Sequence, residues 1–313
     1  MFKNIFKHIL LPVAVGITAL LSVSCGEYQA VLKSTDNDFI YNKALKYYAA
    51  GDYEKATTLF GRVVNSYTGT TRADTIIVLY AKSLSEIGDY YTAAHYFKNY
   101  VKTFPSSDNC EECQFLCGYC YYNLSPKYLL DQQDTQTAID ELQTFLNLYP
   151  HSSHADEAEQ MLKEMQDKIA YKAYMNAKLY FNLGNYLGNN YKSAIIVAQN
   201  CLKNYPDTKH REELSFLILE SKYIQAENSV LQKQSERYRD TIDEYYSFIN
   251  EFPNSKYLNK AAKMLASSEH GLRKAEELLP PSADDLDYYR NFGTRAEQER
   301  KHILETQNQQ PKE

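Results

Sequence analysis

FIYNKALKYYAAGDYEKATTLF, residues 39–60, decides the fold because the chain repeats it. Thirty-seven residues later, IIVLYAKSLSEIGDYYTAAHYF (76–97) follows the same plan. Gly51-Asp52-Tyr53 and Gly88-Asp89-Tyr90 mark the middle of each copy, followed by Ala56 with Phe60 and by Ala93 with Phe97. Apolar residues recur at helical spacing on both sides, so each copy reads as helix, tight turn, helix.

A second signal runs further along the chain. An aromatic-Pro pair is followed two residues later by Ser or Thr in FPSS (104–107), YPHS (149–152), YPDT (205–208) and FPNS (252–255). Each closes an apolar-periodic helix such as AIDELQTFLNLYP from Ala138. Proline cannot continue a helix, and the Ser, Thr or Asp after it suits the cap of the next one. Five repeats result, at roughly 37–70, 71–107, 108–152, 153–207 and 208–254, with a capping helical stretch from Lys256 to about Leu279. Ser125–Asp134 lengthens the turn of the third repeat, and the fourth opens with a helical pattern from Ala155 to about Leu187.

Small residues (Ala44, Ala81, Gly118; Ala56, Ala93, Ala138, Ala194) fall where paired helices must approach closely. The pattern resembles the tetratricopeptide repeat. The expected fold is all-α, a tetratricopeptide-like helical-repeat solenoid of about five helix pairs plus a capping helix. Such pairs bury their apolar faces only against their neighbours, and the stack becomes a superhelix whose concave side can hold a peptide or domain. Composition agrees: of 313 residues only 11 are Gly and 9 Pro, too few turn-formers for a β-sandwich or barrel. The net charge of −6 gives no support to a nucleic-acid binder.

The first 24 residues carry an address. Lys3, Lys7 and His8 precede an apolar run, Ile9 to Val23, that stops at Ser24-Cys25. A charged start, a short apolar core and a small-residue exit describe a secretory signal, and the run is shorter than the ~20 residues of a membrane span. Cys25 after small residues resembles a bacterial lipobox, in which the cysteine becomes the acylated first residue; Ser22 stands where that pattern prefers Leu. Ordinary secretion with a free Cys25, or a retained anchor helix, are the competing readings. Gly26 in place of Asp favours the outer membrane. The expected organisation is a lipoprotein signal peptide at 1–24, a lipidated extended tether at 25–37, the superhelix at 38–279 and a polar C-terminal extension at 280–313, with one amphipathic helix near 294–305.

Residues able to carry chemistry are few. Cys110, Cys113, Cys117 and Cys120 are spaced like metal ligands, yet offsets of three, seven and ten residues mark one stripe of a helix. Sulfurs spread over ~15 Å cannot share a tetrahedral site, so the stripe reads as a packing face. An oxidising compartment leaves a Cys110–Cys113 disulfide as the second reading and metal binding as the third. His151 and His154 flank a turn, and no nucleophile elbow, phosphate-binding loop or metalloprotease motif appears. Neither an enzyme nor a cofactor or metal site is expected. Of the 29 tyrosines, many lie on first helices, which line the concave face in this repeat. Tyr41, Tyr47, Tyr48, Tyr80, Tyr119 and Tyr122 are the candidate lining of a peptide groove, against the simpler reading of tyrosine as the packing aromatic.

Lipobox, tether and five repeats together resemble the BamD family of lipoproteins, from the outer-membrane β-barrel assembly machine. The likeness runs over about 25–255 and is most specific from YPHSSHADEAEQMLKEMQDKIAYKAY to KSAIIVAQNCLKNYPDT. It implies a non-catalytic scaffold on the periplasmic side of the outer membrane. It also implies three kinds of partner: unfolded outer-membrane protein clients at repeats one to three, the POTRA domain of the barrel-forming insertase at repeats four and five, and other assembly-machine lipoproteins. Two other classes remain open: a periplasmic envelope-maintenance or cell-division adaptor, and a SusD-like glycan-binding lipoprotein. The absence of Trp and the chain length weigh against the second.

Overall fold

The computed structural model describes residues 26–279, and every regular element in them is helical. Cys25, the signal peptide and the extension at 280–313 lie outside the described residues. The helices are α1 (26–33), α2 (Asn37–Ala49), α3 (Tyr53–Val63), α4 (Ala73–Glu86), α5 (Tyr90–Thr103), α6 (Cys110–Leu124), α7 (Gln133–Leu148), α8 (Ala155–Leu183), α9 (Asn190–Asn204), α10 (Arg211–Glu227), α11 (Leu231–Glu251) and α12 (Leu258–Leu278). A short 3-10 turn, Val64–Tyr67, joins α3 to α4. The helix pairs α2–α3 to α10–α11 are the five repeats, and α12 is the cap: a helical-repeat solenoid. The chain divides into two compact units, Met1–Met165 and Gln166–Glu313, with the boundary inside α8.

Two local devices recur. Within a pair, Gly51 and Gly88 turn the chain at φ of 75° and 81°, which a side chain would resist. Asp52 and Asp89 then cap the second helix, accepting from Lys55 N at 3.3 Å and Thr92 N at 3.2 Å. Asn189 repeats this in the fourth pair with Lys192 N at 3.2 Å. Between pairs, the aromatic before Pro donates its N–H back to the second helix: Phe104 to Tyr100 O, Tyr149 to Phe145 O, Tyr205 to Cys201 O and Phe252 to Phe248 O, all at 2.8–2.9 Å. The hydroxyl two residues beyond Pro acts one step earlier than a helix cap. It accepts from the N–H of the residue just before the next helix: Ser107 from Asn109 (3.3 Å), Ser152 from His154 (3.1 Å), Thr208 from His210 (3.3 Å) and Ser255 from Tyr257 (3.0 Å).

The close-approach residues behave as their size requires. Ala44, Ala56, Ala81, Ala93, Ala138 and Ala194 are all fully buried. A Cβ on Gly118 would lie 2.8 Å from Leu142 Cδ2, so a larger residue would have to push the Leu142 side chain aside for α7 to lie this near to α6. The N-terminal unit carries one core around Ile40, Leu59, Phe60 and Ile76 and another around Leu84, Phe97, Tyr100 and Cys117. The C-terminal unit carries one around Ala177, Ala198 and Leu214 and another around Phe216, Phe248 and Met264. Burying a phenylalanine such as Phe60 or Phe248 is worth about 1.5–3 kcal/mol, and each pair supplies such residues to its neighbour.

Two expectations are corrected. Residues 26–33 are helical, not an extended tether: Val31 is fully buried, and Tyr28 and Leu32 pack on the α2–α3 core. Arg62 holds the helix end, donating to the carbonyls of Val31 (3.3 Å), Leu32 (2.8 Å) and Ser34 (2.9 Å), groups a helix terminus leaves unpaired. An ion pair from Lys43 to Glu27 ties α1 to α2. The long helix of the fourth repeat ends at Leu183, short of Leu187, because Gly184 takes a left-handed φ of 55° and donates to Tyr180 O at 3.2 Å.

Candidate functional site

The six tyrosines expected to line a groove are half-buried, and each already has a partner. Tyr41, on α2, lies 6.4 Å from Phe60 and 5.8 Å from Tyr67, centroid to centroid. Tyr47 meets Tyr28 edge-on at 5.7 Å, with Lys55 Nζ 5.1 Å above its ring. Tyr48 packs edge-on against Tyr53 at 5.5 Å, and burial raises its pKa. Tyr80, on α4, meets Tyr96 at 4.9 Å and covers Gly61, where a Cβ would sit 3.0 Å from its hydroxyl. On α6, Tyr119 pairs with Tyr90 at 6.4 Å, and Tyr122 donates to Glu164 Oε2 at 2.6 Å. The rings therefore sit on first helices but share their area between packing and exposure.

The first repeat adds a charged centre that sequence reading missed. Tyr67, in the 3-10 turn, donates to Asp38 Oδ1 at 2.6 Å, and Arg72 pairs with the same carboxylate. The Tyr67 hydrogen bond and then the Arg72 guanidinium hold the Asp38 carboxyl below its ordinary pKa. Arg72 also lies 5.7 Å above the Tyr41 ring and 5.9 Å above Tyr67. Arg72 and Asp38 are both more than half exposed, so the group offers a rigid aromatic floor with a guanidinium and a carboxylate at its rim. Its only trace in the sequence is a tyrosine outside the regular repeat.

The cysteine stripe is a packing face. Cys110, Cys113, Cys117 and Cys120 are buried free thiols, the last three in the core that α6 shares with α4 and α5, so the Cys110–Cys113 pair is not bonded here. Cys117 Sγ donates to Ala94 O at 3.8 Å and Cys120 to Ser85 Oγ at 3.8 Å. Burial pushes the Cys113 thiol up to about 12 and Cys120 to about 11, and Cys117 higher still. A thiolate is the form that binds metal or attacks, and these sites disfavour it. Among the described residues no cluster of three or more His, Cys, Asp or Glu could hold a metal ion. His154 is stacked on Phe115 at 4.3 Å, a packing role in the joint between repeats, while His151 is exposed.

Comparison with known proteins places this arrangement. A sequence profile described as YfiO, outer membrane lipoprotein, matches residues 33–188 and 182–278. The chain is 28% identical over 214 residues to the "putative outer membrane protein assembly factor BamD" of Aquifex aeolicus, covering 66% of this chain and 68% of that protein. It is 23% identical over 190 residues to the "outer membrane protein assembly factor BamD" of Xylella fastidiosa strain Temecula1, covering 56% and 64%. The chain thus spans about two thirds of the length of these relatives. A crystal structure of a tetratricopeptide protein from Thermus thermophilus overlaps 74% of this chain and all of its own, at 15% identity and a TM-score of 0.29. No helix among the described residues is long and apolar enough to cross a membrane. With the profile matched along both compact units, the chain belongs to the YfiO family of outer membrane lipoproteins.

Proposed function

We propose that this protein is a non-catalytic assembly factor for outer-membrane β-barrel proteins. The observation that carries the reading is the family match across 33–278, joined by relatives named as BamD assembly factors. In this reading Cys25 is the acylated anchor at the periplasmic face of the outer membrane. Because the helix over 26–33 packs into the first repeat, an anchor at Cys25 keeps the N-terminal unit close to the bilayer.

The half-buried tyrosines of repeats one to three (Tyr41, Tyr47, Tyr48, Tyr80, Tyr119 and Tyr122) receive the extended, aromatic-ended peptide of an unfolded client. Their rings are pinned by neighbours, which lowers the ordering cost of binding. Arg72 and Asp38 supply charge for the backbone or terminus of such a peptide. The helix faces of repeats four and five hold the POTRA domain of the barrel-forming insertase, alongside other lipoproteins of the machine.

The test is affinity isolation of the tagged protein from its own envelope in mild detergent. Near-stoichiometric recovery of a POTRA-bearing barrel protein is expected. Recovery of a nutrient transporter or a cell-wall complex without such a subunit would sink the assembly role. Separately, Cys25→Ala should release the protein from membranes in a salt wash; retention would remove the lipid anchor from the account.

A further inference from the structure

From Lys168 to Pro206 the chain has no Asp or Glu, while it has five lysines, in a protein with 40 acids and a net charge of −6. This stretch is the second half of α8, the turn to α9, and α9 itself. It also carries most of the exposed large apolar side chains among the described residues of the C-terminal unit. Leu179 is 56% exposed, Tyr186 69% and Leu187 91%. Leu179 and Leu183 are one helical turn apart and share a stripe that the turn extends to Leu187.

The turn is built to hold these groups out. Leu187 has a φ of 54°, the one described non-glycine residue with positive φ, in a conformation costly for a bulky side chain. Gly184 and Gly188 flank it at 55° and 147°. Asn190 N donates to Gly184 O at 3.0 Å, and Asn190 Nδ2 to Tyr186 O at 2.7 Å, locking the loop. Strain spent on projecting a leucine into water points outward, to something that receives it.

The geometry points to an anionic lipid surface, and we propose that the α8–α9 turn is a second bilayer contact that inserts Leu183, Tyr186 and Leu187 at the headgroup–acyl boundary. The chemistry is that of interfacial segments: leucines at a protruding tip, tyrosine beside them, and the exposed Lys178 and Lys192 placed to meet phosphates. A protruding tip suits a deformable bilayer, and the lack of any carboxylate removes what an anionic surface would repel. This contact goes beyond the assembly role and does not depend on it.

The test uses the full protein, purified with its anchor and reconstituted into phosphatidylglycerol-rich vesicles without other proteins. Leu187→Cys carries an environment-sensitive fluorophore, with Asn259→Cys on exposed α12 as reference and the unsubstituted chain as background. The buried native thiols are poor competitors for the label. Expected are a blue-shifted emission at 187 and quenching by doxyl-labelled lipid, reduced about twofold in phosphatidylcholine or high salt. Quenching no greater than at 259, or equal in both lipids, would overturn the proposal. So would a blue shift in native envelopes that lipid quenchers do not reach, since that marks a protein occupant.

Discussion

The joint at 104–109, in the N-terminal unit, and the joint at 205–210, in the C-terminal unit, share a backbone and differ in what holds them. In both, the residue before Pro donates to the carbonyl four back at 2.8 Å, and the Ser or Thr after it donates to that residue's carbonyl at 3.0–3.2 Å. At the first joint Tyr100, 1% exposed, donates to Asp74 Oδ1 at 2.5 Å; Ser107 reaches Asp74 Oδ2 at 3.1 Å and Asn109 the same carboxylate at 3.4 Å. Burial and then Asp74 push the Tyr100 hydroxyl up to about 12. At the second joint Cys201 stands in place of Tyr100, and His210 lies 5.1 Å from Tyr171 and 5.4 Å from Tyr174, parallel to the latter within 4°. Proline and a hydroxyl fix the turn, and the facing helix decides whether hydrogen bonds or aromatic packing closes it.

The largest effect is expected at the hydrogen-bonded joint. Asp74→Ala removes the acceptor shared by Tyr100, Ser107 and Asn109, leaving Tyr100 and Ser107 only their mutual hydrogen bond at 2.6 Å, and should cost about 3 kcal/mol in urea unfolding. Glu212, which accepts one bond from Ser255 at 2.6 Å in the joint before α12, offers the lesser case; Glu212→Ala should cost about 1 kcal/mol. Equal losses would mean that water replaces the Asp74 network and that the contrast between the joints is only geometric.

Next in size is a contrast between glycines. A Cβ on Gly271 would lie 2.4 Å from Tyr238 Cζ and 2.6 Å from Cε2, a ring only 7% exposed. On Gly118 the nearest atom is Leu142 Cδ2, the movable end of an aliphatic chain, at 2.8 Å. Alanine returns about 1 kcal/mol of helix propensity at either site. Overpacking should still leave Gly271→Ala about 2 kcal/mol less stable and Gly118→Ala about 1 kcal/mol or less, measured as midpoint shifts at constant m. The reverse order would show that the α11–α12 contact yields more easily than the α6–α7 one.

Most of the fold was legible in the sequence because its devices are local. The Gly-Asp turns, the aromatic-Pro stops and the small residues each act within one or two helical turns, so FPSS and YPDT announce their joints unaided. Helix α1 was not legible: two or three apolar residues among polar ones look like a tether until Val31 finds the core and Arg62, some thirty residues on, caps its end. Nor was the Asp38–Tyr67–Arg72 centre, whose members are joined only by the return of α4 beside α2. The tyrosine positions were readable as first-helix residues, but their division between packing and exposure depends on neighbours in other repeats. Cys201 and Tyr100 hold equivalent places with different partners, and no spacing rule could say which joint would carry a carboxylate.

The smallest predicted effect is also the one that separates the joints by pH. Asn109 cannot titrate, whereas His210 can, and burial first, then Lys209, holds its pKa below the ordinary 6.5. Glu213 on α10 and Asp167 on α8 act the other way and are outweighed. The unfolded chain therefore takes the proton first as pH falls. What the neutral ring contributes is fully present above pH 6.5 and is lost on acidification through the lower folded value. His210 Nε2 is also buried without a hydrogen-bond partner, so the ring's worth lies in its stacking on Tyr174 and its packing against Tyr171. His210→Phe keeps that stacking and removes both the titration and the stranded nitrogen. Unfolding midpoints of the two proteins should lie close together near about pH 7.5, with the phenylalanine form ahead by a growing margin toward about pH 5.5. A constant gap would mean that His210 titrates alike in both states, and that aromatic packing closes the C-terminal joint as insensitively to acid as Asn109 leaves the N-terminal one.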